Sequence, residues 1–402
     1  MKIGIISTYK WLKKWDNYGT LFQNYALQKY LRNYGYETYW IRAKGGRLRH
    51  KEDELSGVRS EPDMSRDLIA DSMSFFLRLK KSFVRRIHDR RYQLKIEDFN
   101  RANSRNFHEF FYKYVPHTEH EYKQAELIAN PPAADAYIAG SDQIWGYVSS
   151  LYFLGFGSAS TKRIAYAASA PWGSLSAEWF ALAREEVKRF DAVSVREIDG
   201  LDVCLSIGRR DAVQVLDPTM LLDKEDYLSL VTAEGHDKVF DRPLVLCYFI
   251  SMWKLGQVPW PAIERFAIKQ KADLKVVPLQ GSELIFPSKY VFTPSPTEWL
   301  NAYDKSSCVL TNSFHGVLFA IIMRKPFLVV LLKGQNAREN CRFISILEAL
   351  GLAERILEGE SNKVTDSDIA RQMFVDICWD SVESRLKSLR YTSESFLLSS
   401  LQ

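Results

Sequence analysis

Short apolar segments alternating with helical ones, twice over, constrain this chain more than any other feature. In the first half, segments 2–7, 37–42, 135–140, 162–169, 192–196 and 213–217 have the length and apolar character of buried strands. Helical stretches such as 20–33 and 176–190 lie between several of them. The second half repeats the scheme with 243–250, 274–278, 289–292, 307–311 and 327–332. Strands without a polar face need cover on both sides, and helical crossovers supply it. The expected fold class is therefore α/β, with two parallel sheets facing a cleft. A chain of 402 residues is long enough for two such domains. The expected division is an N-terminal domain over 1–222 and a C-terminal domain over 223–402, hinged near Leu222 to Glu225. Weak strand signals and higher charge mark about 43–130 as a mostly helical insertion, with loop residues around 45–65. The last helices are free to pack back on the first domain.

Several function classes lose ground on composition. The five cysteines, Cys204, Cys247, Cys308, Cys341 and Cys378, are widely spaced without a paired pattern, which argues for reduced thiols and against a disulfide or zinc framework. The run from Met1 to Ser7 is too short for the apolar core of a signal peptide and reads as a first strand. The most apolar region, 316–332, is interrupted by Arg324-Lys325-Pro326, so no bilayer span is expected. The expected location is the cytoplasm. From Arg78 to Arg105, ten Lys/Arg stand against three Asp/Glu, interleaved with Phe83, Ile87 and Phe99. A basic amphipathic helix of this kind suits the anionic inner face of a membrane, and equally a solvated surface. No nucleic-acid-binding motif accompanies it, and no nucleic acid partner is expected.

Polar clusters recur where the strands end. Gly140-Ser141-Asp142-Gln143 follows one strand, and Ser169-Ala170-Pro171 follows another. Arg196-Glu197 and Asp217-Pro218-Thr219 close the next two, and Asn312 to His315 follows a strand of the second half. Ligands of open parallel sheets bind outside the carboxyl ends of the strands, so the clusters together favour a cleft site. Each alone is also ordinary turn chemistry. Within Thr311-Asn312-Ser313-Phe314-His315-Gly316, Ser313 stands at an N-cap position and His315 in the first helical turn. Free N–H groups and the helix dipole there favour phosphate or carboxylate, and an imidazole can move a proton. A buried histidine filling a strand–helix joint is the alternative.

An ordered set of motifs carries a family likeness. Asn17-Tyr18-Gly19-Thr20-Leu21-Phe22-Gln23 comes first, with Tyr25-Ala26-Leu27, then Gly140-Ser141-Asp142-Gln143-Ile144-Trp145 and Tyr166-Ala167-Ala168-Ser169. Ser194-Val195-Arg196-Glu197, Asp217-Pro218-Thr219 and Asn312-Ser313-Phe314-His315-Gly316 follow, with Asn340 to Leu347 and Leu350-Gly351-Leu352 near the end. In this order the chain resembles the polysaccharide pyruvyl transferase family, from its first strand to about residue 355. The region 43–115 departs most. The resemblance implies a glycosyltransferase-B-like pair of Rossmann-like domains with the donor between them. It implies transfer of pyruvate from phosphoenolpyruvate to a sugar of a cell-surface polysaccharide precursor, as in capsule or exopolysaccharide, forming a cyclic ketal and releasing phosphate. Phosphoenolpyruvate is then the donor substrate, with no cofactor and no metal. A lipid-diphosphate-linked sugar acceptor is the implied partner, and 78–105 would touch the inner membrane face peripherally.

The resemblance also implies that an arginine and a histidine contact phosphoenolpyruvate, at Arg196 and His315 here. Arginine's planar fork suits a carboxylate or phosphate, although Arg196 has Glu197 beside it as a structural partner. Ser313, Phe314 and Ser169 complete the expected donor side. Asn17, Gln143, Trp145 and Asp217 are the acceptor-side candidates. Protonating the enol carbon C3 leaves an oxocarbenium-like centre at C2 for a sugar hydroxyl to attack. His315 is the acid/base candidate, and Asp142 or Asp217 would serve the hydroxyl, with Pro218 favouring a capping role for Asp217. A nucleotide-sugar glycosyltransferase of the same fold and a non-catalytic sugar-binding or scaffold protein are the alternatives.

Overall fold

The computed structural model describes residues 1–8, 17–44, 47–48 and 90–402. The chain divides into two compact units, Met1–Arg47 with Arg105–Gln402, and Leu48–Ser104. In the smaller unit residues 90–102 are helical, and Asn103 Nδ2 donates to the Phe99 carbonyl at 2.8 Å near the helix end. Most of the loop expected over 45–65 lies outside the described residues, as do residues 78–89 of the basic stretch, including Arg85 and Arg86.

The larger unit is α/β and carries two parallel sheets. The first is built from β1 (Lys2–Ile6), β2 (Glu37–Trp40), β3 (Ala136–Asp142), β4 (Lys162–Ala168), β5 (Ala192–Val195) and β6 (Val213–Gln214). Their order is β6-β5-β4-β3-β1-β2, with Ile5 opposite Ile138 and Ile138 opposite Ile164 along the centre. The second is built from β7 (Leu244–Ile250), β8 (Asp273–Leu279), β9 (Cys308–Thr311) and β10 (Phe327–Val329), in the order β8-β7-β9-β10. All these pairings are parallel. Every residue of β3 and of β9 is buried, which is why these strands read as continuous apolar or small-residue runs.

One expected strand fails. Ser288–Tyr290 forms a 3-10 turn, and Val291 pairs with Val276 as an isolated bridge. Pro287 before it and Pro294 after it lack the N–H groups a ladder requires.

The helices that shape the site are α1 (Tyr18–Asn33), α2 (Pro296–Lys305), α3 (Phe314–Ile322), α4 (Cys341–Leu350) and α5 (Trp379–Leu401). An aromatic seam joins the α1, α2 and α3 surfaces. Tyr18 stacks on Trp299 at 4.9 Å between centroids, and Phe22 meets Phe319 at 5.3 Å. The Tyr18 hydroxyl donates to the Pro294 carbonyl, so its one polar atom is satisfied. At the end of the chain, α5 returns to the first sheet. Ser393 Oγ accepts the Leu216 N–H at 2.9 Å, and Arg390 Nε donates to the Met220 carbonyl at 2.6 Å. No described helix is long and apolar enough to cross a membrane.

Each sheet has one place where successive connections leave in opposite directions. In the first sheet it lies between β1 and β3, because β2 pairs on one side of β1 and β3 on the other. In the second it lies between β7 and β9. Such switch points open a crevice at the carboxyl ends of the strands, and side chains following β1, β3, β7 and β9 are poised to line it.

Candidate functional site

The two crevices share one cavity of about 190 Å³. Thr8 and Asp142 line it from the first sheet, and Ile250, Ser251, Gln280 and Asn312 from the second. Asn17 and Thr20 of α1, with Ser313, Phe314 and His315 of α3, contribute the two helix starts. Asn17 caps α1, its Oδ1 accepting the Thr20 N–H at 3.1 Å. Ser313 caps α3 by accepting the Gly316 N–H at 3.4 Å. Two positive helix ends therefore open toward one polar space.

Backbone constraints hold this arrangement. Asn312 bridges the ends of β7 and β9, its Oδ1 accepting the Ile250 N–H at 2.8 Å and its Nδ2 donating to the Ile250 carbonyl at 3.0 Å. Thr311 Oγ1 accepts the Ser313 N–H at 3.0 Å and donates to the Tyr248 carbonyl at 2.7 Å. A Cβ on Gly316 would come within 2.3 Å of Thr311 Oγ1, so only glycine lets this turn close. Gly19 matters for the other helix. A Cβ there would come within 2.1 Å of His315 Nδ1, so α1 and the His315 ring approach as closely as they do because Gly19 has no side chain.

Asp142 stands at φ +75° and ψ −178°, a region that L-residues rarely occupy. Its side chain supplies the compensating bonds. Oδ2 accepts from Thr8 Oγ1 at 2.9 Å and from Thr20 Oγ1 at 2.8 Å, while Oδ1 lies 3.9 Å from Arg196 Nη1. Burial pushes this carboxyl up, but the Arg196 and His315 charges and the two threonine hydroxyls together hold it below the usual range.

His315 is buried, with Nε2 at 3.4 Å from Asp217 Oδ2 and no hydrogen bond to that nitrogen among the described residues. Asp217 is the hub beneath the cavity floor. Its Oδ2 accepts from Arg196 Nη1 at 2.9 Å and from Ser141 Oγ at 3.2 Å. Its Oδ1 accepts the N–H of Thr219 at 3.0 Å and its hydroxyl at 2.9 Å, capping the 3-10 turn Pro218–Leu221 as Pro218 suggested. Burial raises this carboxyl's pKa, and His315, then Arg196 and the Thr219 N–H, bring it far below the ordinary value.

The sequence candidates therefore separate. Asp142, His315, Ser313, Phe314, Asn17 and Gln143 line the cavity together. Ser169, Arg196 and Asp217 lie behind it. Arg196 is almost fully buried, and its fork is already engaged: Nε donates to Glu197 at 2.8 Å, Nη1 to Asp217, and Nη2 to Ser169 Oγ at 3.0 Å. Its guanidinium stacks 4.4 Å from the Phe314 ring centroid. The structure thus gives Arg196 the carboxylate pairing that Glu197 foreshadowed. Trp145 is no cavity residue. It is fully buried, stacks on Phe153 at 5.3 Å and donates Nε1 to the Tyr152 carbonyl at 3.2 Å.

Sequence reasoning missed Arg342 and Glu339, which also line the cavity. Arg342 lies in the Asn340–Leu347 motif, but no strand end or cap marked it beforehand.

The family model described as polysaccharide pyruvyl transferase matches residues 17–333. No curated protein matches the sequence. Similar solved structures include UDP-GlcNAc 2-epimerase from Neisseria meningitidis bound to UDP-GlcNAc, at 11% identity and TM-score 0.49, covering 99% of this chain and 100% of that one. A putative UDP-N-acetylglucosamine 2-epimerase from Listeria monocytogenes matches at 12% identity and TM-score 0.46, covering 99% and 95%. An S. aureus MnaA–UDP structure matches at 15% identity and TM-score 0.43, covering 98% and 94%.

Proposed function

Since the chain belongs to the polysaccharide pyruvyl transferase family, we propose that it moves pyruvate from phosphoenolpyruvate onto two hydroxyls of a sugar in a polysaccharide precursor. The observation that carries this reading is the meeting of His315, at a helix start, with Asp142 in one polar cavity at both sheets' switch points. The reaction needs an acid for C3 of the enol, stabilisation of positive charge at C2, and acceptors for two hydroxyl protons.

His315 supplies the proton. Asp217 faces Nε2 of the ring at 3.4 Å, while Nδ1 packs against Gly19 of α1. Asp142 is a poor general base, because its depressed pKa makes proton uptake costly. An ionised carboxylate in that position instead stabilises the oxocarbenium-like centre and accepts a hydrogen bond from the attacking hydroxyl. The first hydroxyl adds to C2 and returns its proton to the His315 imidazole; phosphate then departs, and the second hydroxyl closes the ketal as its proton leaves on the phosphate. The two helix starts favour the phosphate and carboxylate of the donor.

A thermal melt tests the donor. Phosphoenolpyruvate at a hundred times its dissociation constant stabilises a native binder by about 2.7 kcal/mol, whereas UDP-hexoses should leave the midpoint unmoved. Sugar-dependent phosphate release from phosphoenolpyruvate would complete the test. A shift with UDP-hexoses and none with phosphoenolpyruvate would transfer the protein to the glycosyltransferase reading.

A further inference from the structure

We infer that Arg342, with Glu339 as its removable internal partner, is a cation that receives the donor's anionic group. This rests on phosphoenolpyruvate being the donor. The dianionic or trianionic ester must meet positive charge, and helix starts supply only partial charges. Arg342 is the charged basic side chain among the described residues lining the cavity. Its side chain is only 11% exposed, so an anion paired with it is shielded from water and bound strongly.

Arg342 is held, but incompletely. Nε donates to the Glu339 carbonyl at 3.2 Å, and Nη2 pairs with the Glu339 carboxylate. No described residue accepts from Nη1. Its guanidinium lies 6.0 Å from the same Phe314 ring that Arg196 stacks on, and Phe314 lines the cavity between them. The two arginines thus have different environments. Arg196 faces three carboxylates, Glu197, Asp217 and Asp142, within 4 Å, and removing it would leave buried charges unpaired. Among the described residues Arg342 faces one, and that one sits on the 3-10 turn Gly334–Asn340 at the cavity edge with its side chain 35% exposed.

Exchange therefore suits Glu339. When the donor's carboxylate or phosphate enters, it can take the place of Glu339 on the guanidinium fork. Glu339 then turns toward water, and the buried cation remains paired throughout. The internal carboxylate competes with the donor, which keeps Arg342 satisfied when the cavity is empty and sets the donor affinity.

The competition makes two substitutions act in opposite directions. Arg342→Gln should weaken phosphoenolpyruvate binding by about 10- to 100-fold, with the folded state retained, since the lost contact is a charge-assisted pair. Glu339→Gln should tighten binding several-fold, because the competitor loses its charge. Calorimetric titration with phosphoenolpyruvate reads both, and Arg342→Lys serves if the glutamine variant does not fold, with an intermediate loss expected. Unchanged affinity in the Arg342 variants, or weakened affinity in Glu339→Gln, overturns the inference while leaving the donor assignment standing. No binding by the unaltered protein overturns the donor assignment and this inference with it.

Discussion

At the scale of residues, the site depends on what is absent at Gly19 as much as on what is present at His315. Gly→Ala inside a helix usually stabilises by about 0.5–1 kcal/mol. At Gly19 the added methyl would meet His315 Nδ1 at 2.1 Å, so the sign should reverse. Gly19→Ala is expected to lower the melting midpoint and cut turnover, because the ring must leave its place beside Asp217. A more stable and fully active variant would show that the close approach does not exist. His315→Ala should keep the fold, relieve that same contact and reduce turnover by about 10²–10⁴-fold. Normal turnover in a folded His315→Ala protein would remove the histidine from the chemistry. His315 was legible from its motif at a helix start, whereas Gly19 stood in a family motif without its approach to His315 being readable. Trp145 was misread because an aromatic next to a polar cluster looks the same in sequence whether it faces the cavity or the core. Its neighbours Phe153 and Trp172, not its own motif, decide the matter.

Among the elements, strand ends carry the load of positioning, and Asn312 shows how. One side chain satisfies both backbone groups of Ile250, tying β7 to β9 where the ladder stops. Asn312→Ala should cost about 2 kcal/mol, as partly buried backbone groups lose their partners. Chemical denaturation measures this, and a loss below a few tenths of a kcal/mol would mean that water replaces the side chain freely. The Ser313 cap of α3 was readable from a serine before an apolar run. The tie from Asn312 was not, because its partner lies 62 residues away. The same limit explains segment 289–292, whose apolar and aromatic residues resemble a strand although prolines on both sides prevent a ladder.

For the whole molecule, buried ionisable groups bound the pH range of stability. Asp142 and Asp217 have native pKa values below the unfolded value of about 3.9, so their contribution is present above that pH and lost as pH falls through the native values. Tyr25 is pushed up to about 12 by burial and then by Asp226. Its contribution is present below its unfolded pKa of about 10 and fades as pH rises through the native value. Melting midpoints should therefore plateau between about pH 5 and 9 and decline on both sides. Asp217→Asn should flatten the acid limb while lowering the plateau; an acid limb as steep as before would separate this carboxylate from acid unfolding. What the sequence determined by itself was local: the apolar strands, the helix caps and the order of the family motifs. Strand and helix periodicities, like turn chemistry, act over a few residues and leave their mark in the chain. Tertiary structure alone decided that Arg196 pairs with Glu197, Asp217 and Ser169 and that Arg342 faces the cavity. Pairing of buried charge depends on which distant groups arrive within about 4 Å, and Coulomb energy at that range outweighs any preference a residue carries in its own segment.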